Sequence, residues 1–135
     1  MKKRILFEKI DCIRIPVDNL EKGLQFYREK LGHELIWKTK TTAGLQLADD
    51  TSEVVLYTEP KGLEIDFKVK EVKKALRVFT EAGGKVIAGP FDIPIGKCAV
   101  VEDPWSNQYV ILDTSKGILK TDEDKKVIGL KKEKD

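Results

Sequence analysis

A chain of 135 residues and 15.3 kDa is long enough for one domain with a sizeable core, and its 41% hydrophobic content excludes a disordered polymer. The 25 basic and 23 acidic residues leave a net charge of +2, a balance that argues against a broad nucleic-acid-binding surface. Charged residues reach 36%, 21 of the basic ones are Lys, and Asn plus Gln number only five, a balance that points to a thermophilic source.

The opening MKKRILFEKID has an apolar run of only three residues, too short for a signal peptide or a membrane span, so a cytoplasmic protein is expected. Two cysteines, Cys12 and Cys98, with no C-x-x-C, give no disulfide framework. Residues 11–17, DCIRIPV, alternate strictly and read as a strand. Ile13, Ile15 and Val17 form its core row. Cys12, Arg14 and Pro16 form the other row, which faces either water or the inside of something.

The period then becomes helical. Leu20, Leu24, Tyr27 and Leu31 fall on one helical face, Asp18 or Asn19 is placed to cap the helix, and Gly32 to end it. Three strand-like runs come next: ELIWKT (34–39), GLQLAD (44–49) and EVVLYT (53–58), the last two joined by the polar turn DDTS. The short linker EPKG, 59–62, leads into a second copy of the same pattern. Residues 12–35 and 64–87 align without a gap at an offset of 52, with Ile13, Ile15, Val17, Leu24, Tyr27 and Gly32 matched by Ile65, Phe67, Val69, Leu76, Phe79 and Gly84. The second copy continues through KVIAG (85–89), GKCAVVED (96–103), the turn DPWSN and QYVILD (108–113). Each half thus reads β-α-β-β-β, over about residues 8–58 and 63–113, in one domain spanning 1–113. Residues 114–135 read as a charged C-terminal tail, with Ile118, Leu119, Val127, Ile128 and Leu130 available for docking.

The duplicated pattern resembles the vicinal oxygen chelate superfamily, which includes glyoxalase I, extradiol dioxygenases and bleomycin-resistance proteins. VDNLEKGLQFYREKLG looks like its first helix, and EAGGKV with VVEDPWSNQYVIL like its second-helix end and final hairpin, Ser106 standing where a glycine is usual. The resemblance implies an α+β fold of two tandem βαβββ modules whose curved sheets enclose a shared cavity. Ile13, Ile15, Val17, Ile65, Phe67 and Val69 would then pack under the helices. Cys12, Arg14, Pro16, Glu64, Asp66 and Lys68 would face the cavity. A homodimer is implied as well.

Metal-dependent members of such a family hold a divalent ion on four side chains, and the corresponding positions here are Cys12, Val55, Glu64 and Val110. Valine offers no donor, so the usual metal site is expected to be lost and no cofactor is expected; an oxygen-only alternative would use Glu53, Glu64 and Asp66. Arg14 is the foremost ligand-binding candidate, because a guanidinium offers a planar fork to a carboxylate or phosphate. Cys12, Lys68, Glu53, Tyr57 and Trp37 complete the expected ligand set. Phe91 and Trp105 are further wall candidates, and GPFDIPIG (89–96) a candidate loop over the mouth. His33, the only histidine, is expected at the surface near the helix end. The leading expectation is a metal-free protein that binds a small organic molecule, with no nucleic-acid or membrane partner. One alternative is an enzyme of lyase, isomerase or dioxygenase type with Glu64 or Asp66 as base. Another is a dimeric structural or interaction protein.

Overall fold

In the computed structural model, residues 5–133 are described; residues 1–4 and 134–135, the ends of the expected opening and tail, lie outside them. The described residues form two compact units, one of residues 11–65 with 119–129 and the other of residues 5–10, 66–118 and 130–133.

The first βαβββ module runs through β1 (Lys9–Pro16), α1 (Leu20–Leu24), β2 (Glu34–Lys38), β3 (Thr42–Gln46) and β4 (Glu53–Tyr57), with strand order β2-β3-β4-β1. Parallel pairing joins β1 to β4, and antiparallel pairing joins β2 to β3 and β3 to β4. Asn19 caps α1, its extended backbone letting Oδ1 accept from the Lys22 N–H at 3.0 Å. Leu20, Leu24, Leu35, Ala43, Leu45 and Leu56 are buried together, flanked by Ile15, Val17, Tyr27 and Val54. Each such leucine contributes about 1.5–3 kcal/mol of burial.

The first helix departs from the sequence expectation. From Gln25 to Lys30 it is π-wound, as the Leu31 N–H bond to the Phe26 carbonyl at 3.0 Å shows. An extra residue in the turn rotates the end of the helix about its axis, so Leu31 leaves the apolar face and is 51% exposed. Ile13 and Ile65 also differ from expectation, at 36% and 41% exposure. Ile15, near the end of β1, and Val17, just beyond it, pack on the leucine cluster, whereas Ile13 lies outside it.

The second module repeats the plan with β5 (Glu64–Lys68), α2 (Val72–Glu81), β6 (Lys85–Ile93), β7 (Gly96–Glu102) and β8 (Gln108–Leu112), in the order β5-β8-β7-β6. Val69, Val72, Ala75, Leu76, Phe79, Ala99, Val101 and Ile111 make its core. Phe7 from the leading segment stacks on Phe67 at 4.5 Å and meets Tyr109 edge-on at 5.8 Å. The stretch expected as a loop, 89–96, is mostly strand. Phe91, Asp92 and Ile93 pair with Cys98, Lys97 and Gly96, and bulges around Ala88 absorb the misfit.

The two hairpin turns are built alike. Asp49 accepts from the Thr51 and Ser52 N–H groups at 3.1 and 2.8 Å, and Asp103 from those of Trp105 and Asn107 at 2.8 and 3.0 Å. Hydrogen bonds from the Ser52 side chain and backbone hold the Asp49 carboxyl down at about 2. Ser106 takes φ 69°, the left-handed conformation that makes glycine usual there.

The charged stretch after residue 113 contains a ribbon of β9 (Ile118–Thr121) and β10 (Val127–Lys131). Its turn is held by Asp122, whose carboxylate accepts from the Asp124 and Lys126 N–H groups at 2.9 and 3.0 Å. The Lys38 N–H donates to the Lys125 carbonyl at 2.9 Å, tying this turn to β2. Ile118, Leu119 and Val127 are half-buried, while Ile128 and Leu130 are exposed. Among the described residues no helix is long and apolar enough to cross a membrane.

Candidate functional site

The site is built on the face of the first module opposite α1. Register alone puts Trp37, Gly44, Val55 and Arg14 in one row across four strands: Trp37 pairs with Gly44, Gly44 with Val55, and Val55 with Arg14. Tyr57 and Glu53 flank Val55 on the same face of β4, and Cys12 precedes Arg14 on β1. Five residues expected to bind ligand, Cys12, Arg14, Trp37, Glu53 and Tyr57, therefore share one face of the sheet, with Cys12 and Tyr57 buried on it.

Trp37 reaches that surface through a bulge. Leu35 pairs with Leu45 and points into the core, and the register shifts before Trp37 pairs with Gly44, so two residues that ordinary alternation would align land on opposite faces. The Trp37 indole N–H donates to Glu53 Oε1. Both side chains lie over Gly44, where a Cβ would fall 2.1 Å from Trp37 Nε1 and 2.3 Å from Glu53 Oε1. Gly44 thus supplies the space that lets the indole lie down on the sheet.

Arg14 is held from two sides. Its guanidinium carbon lies 5.0 Å from the centroid of the Tyr57 ring, a cation–π arrangement. Its Nε is 3.6 Å from Glu64 Oε2, an ion pair longer than a hydrogen bond. The Arg14 and Glu64 side chains are 28% and 31% exposed, so both remain reachable. Tyr57 is buried and its hydroxyl donates to the Gly62 carbonyl. Burial, and then the Glu64 charge, push the phenol pKa up, so it stays protonated beside the guanidinium.

The other expected residues are placed differently. Asp66 is 4% exposed and pairs in register with Val110. Lys68, expected to face a ligand, instead donates to Glu133 Oε2 at 3.1 Å, and Glu133 also accepts from the Thr114 hydroxyl. A residue from the charged C-terminal stretch, which the repeat does not include, takes up that ammonium. Trp105 is 79% exposed in its turn and Phe91 50% exposed on β6. His33 is half-buried and donates from Nδ1 to the Gln46 carbonyl at 3.2 Å, a tether between the helix end and β3. Neither Cys12 nor Cys98 forms a disulfide.

Of the four positions that the resemblance assigns to a divalent ion, Val55 and Val110 are buried valines with no donor atom. Among the described residues no three His, Cys, Asp or Glu side chains converge as a metal site requires. The residues present do not fit such an ion.

Sequence reasoning passed over Asp113, which follows β8 and is 1% exposed. Its carboxylate accepts from the N–H of Val72, the first residue of α2, at 2.8 Å, and from those of Lys97 and Ser115 at 3.0 and 3.2 Å. The residue at the cap position, Glu71, makes no side-chain cap, so Asp113 caps α2 from a distant strand. Gly96 leaves room for it, since a Cβ there would lie 2.2 Å from Asp113 Oδ1. Burial pushes the Asp113 carboxyl up, but the hydrogen bonds from Val72, Ser115 and Lys97 outweigh it and hold the pKa below the usual value.

A duplicated βαβββ plan defines the class, and comparison with known proteins names it. The family model described as the Glyoxalase/Bleomycin resistance protein/Dioxygenase superfamily matches residues 9–111, and the chain belongs to that family. It is also known as the vicinal oxygen chelate superfamily. No curated protein matches the chain in sequence. Among solved structures, methylmalonyl-CoA epimerase from Mycobacterium tuberculosis is similar with a TM-score of 0.71 at 13% identity, over 85% of this chain and 93% of that one. A protein described as NAD-dependent benzaldehyde dehydrogenase from Legionella pneumophila gives 0.64 at 23%, over 77% and 98%. Homoprotocatechuate 2,3-dioxygenase from Brevibacterium fuscum gives 0.62 at 23%, over 80% of this chain but 37% of the dioxygenase. At these identities the likeness is one of fold.

Proposed function

We propose that this superfamily member binds a small carboxylate-bearing organic molecule, without the family's usual metal, and that Arg14 is its anchor. The observation that carries this reading is the setting of Arg14: a guanidinium laid on the buried Tyr57 ring and only loosely paired with Glu64 at 3.6 Å. The ring fixes where the fork sits, and the long ion pair leaves it hydrogen-bonding capacity. The half-buried Trp37, in the same row across the sheet, supplies apolar surface of the kind a small-molecule site needs. The protein would work in the cytoplasm as a homodimer.

The test is thermal unfolding against a panel of small aliphatic and aromatic carboxylates. A ligand that binds only the folded state at about a hundred times its Kd adds about 2.7 kcal/mol and raises Tm. Members of the panel are expected to do so for the natural sequence and to have no effect on Arg14→Leu. Equal shifts in both proteins would remove Arg14 from the site.

A further inference from the structure

The unit of residues 5–10 and 66–118 carries a groove that shares no residue with the Arg14 site. It holds about 630 Å³ between the leading segment and one face of α2. Volumes of that size take small organic molecules. Glu71, Lys74, Ala75 and Val78 recur at helical spacing and make one wall. Ile5 and Leu6 make the other, and buried Val69 and Ala75 close the bottom. The leading wall is fixed in place. Phe7 stacks on Phe67, and the Glu8 N–H donates to the Lys68 carbonyl at 2.8 Å. Apolar surface is open on both walls: Ile5 is 85% exposed, Val78 51% exposed, and Leu6 half-buried.

Charge around the groove is uneven. Residues 5–8 and 69–78 hold four basic side chains, Lys70, Lys73, Lys74 and Arg77, all exposed, against Glu8 and Glu71. Glu71 is already answered by Lys74 at 3.5 Å, while Lys70 has no ion-pair partner among the described residues. In the sequence, Lys2, Lys3 and Arg4 come directly before Ile5. Polar and apolar lining also separate along the helix. Lys70 and Glu71 stand just before Val72, the first residue of α2, and Val78 lies roughly 9 Å further along the axis. We propose that this groove binds an amphipathic monocarboxylate, with its head at Lys70 and Lys74 and its hydrocarbon chain between Ile5 and Val78. The chain would remove from water the apolar side chains that the fold leaves open, and the head would meet the local excess of positive charge.

Three probes share one eight-carbon chain and differ in the head: octanoate, 1-octanol and octylammonium. Isothermal titration uses the full chain carrying Arg14→Leu, which keeps the carboxylate site proposed above out of the reading. Octanoate is expected to bind at least about tenfold more tightly than octylammonium, with 1-octanol between them. Lys70→Glu combined with Lys74→Glu should cost octanoate at least about tenfold and bring octylammonium level with it or above. Ile5→Ser combined with Val78→Ser, both at exposed positions, should weaken all three probes by about tenfold. Circular dichroism confirms that each variant is folded. Equal affinity for octanoate and octylammonium, octanoate affinity unmoved by either pair of substitutions, or no binding of any probe would overturn the groove proposal. Each of these outcomes leaves the Arg14 reading standing, because Arg14 is absent from the protein titrated.

Discussion

At the scale of single residues, the side chain with the most to lose is Asp113. It is buried, and its carboxylate answers the first N–H of α2 together with those of Lys97 and Ser115. Truncation would orphan donors that water cannot reach, so Asp113→Ala should destabilise the fold by about 2–4 kcal/mol in a urea titration. Asp113→Asn, which keeps one acceptor oxygen, should lose less. The pH dependence comes from the lowered pKa. A carboxyl held lower in the folded state than in the unfolded one gives its full contribution above the unfolded pKa, about 3.9, and loses it as pH falls through the folded value. The stability gap between the natural protein and Asp113→Asn should therefore be constant near neutrality and narrow on acidification below about pH 4. A gap that widens in acid would contradict the assignment. Asp113 was illegible in the sequence because its partner helix begins 41 residues earlier. Arg14 was legible, because alternation with Ile13 and Ile15 fixed its face before anything was known of what lay on it.

At the scale of elements, periodicity found every strand and both helices of the two modules, while local irregularities set what those elements present. The π-wound turn moved Leu31 out of the core, and the bulge in β2 moved Trp37 to the ligand face. Both are one-residue insertions in a regular pattern, and one extra residue leaves composition and average period unchanged. The β2 bulge is useful only because β3 carries Gly44 beneath it. Gly44→Ala would place a methyl within 2.1 Å of the indole nitrogen and 2.3 Å of the Glu53 oxygen. The Trp37–Glu53 hydrogen bond cannot survive that. The expected result is a loss of about 1–3 kcal/mol in stability and a shift in Trp37 emission, measured with Trp105→Phe as background. Unchanged emission and stability would mean that the indole does not lie on β3.

At the scale of the whole molecule, the unexplained feature is apolar surface on the opening strands. Ile13 and Ile65 occupy equivalent places in the two copies of the repeat, are expected from alternation to be core, and are 36% and 41% exposed. Exposed isoleucine at the same place in both copies makes this patch a candidate interface. In a chain with 36% charged residues, that surface is not needed for any general reason of composition. A second copy of the chain is the simplest cover, since an isologous contact buries the same patch twice. Light scattering coupled to size exclusion is then expected to give twice the 15.3 kDa chain mass. Ile13→Lys with Ile65→Lys should shift the protein to monomer without unfolding it, because removing exposed side chains from the folded monomer costs little. The double variant should also keep the Arg14 site, which lies on the opposite face of β1, so ligand-induced stabilisation is expected to persist in the monomer. A natural protein that runs at 15.3 kDa across micromolar concentrations would leave these isoleucines to another partner and remove the dimer from the proposed function.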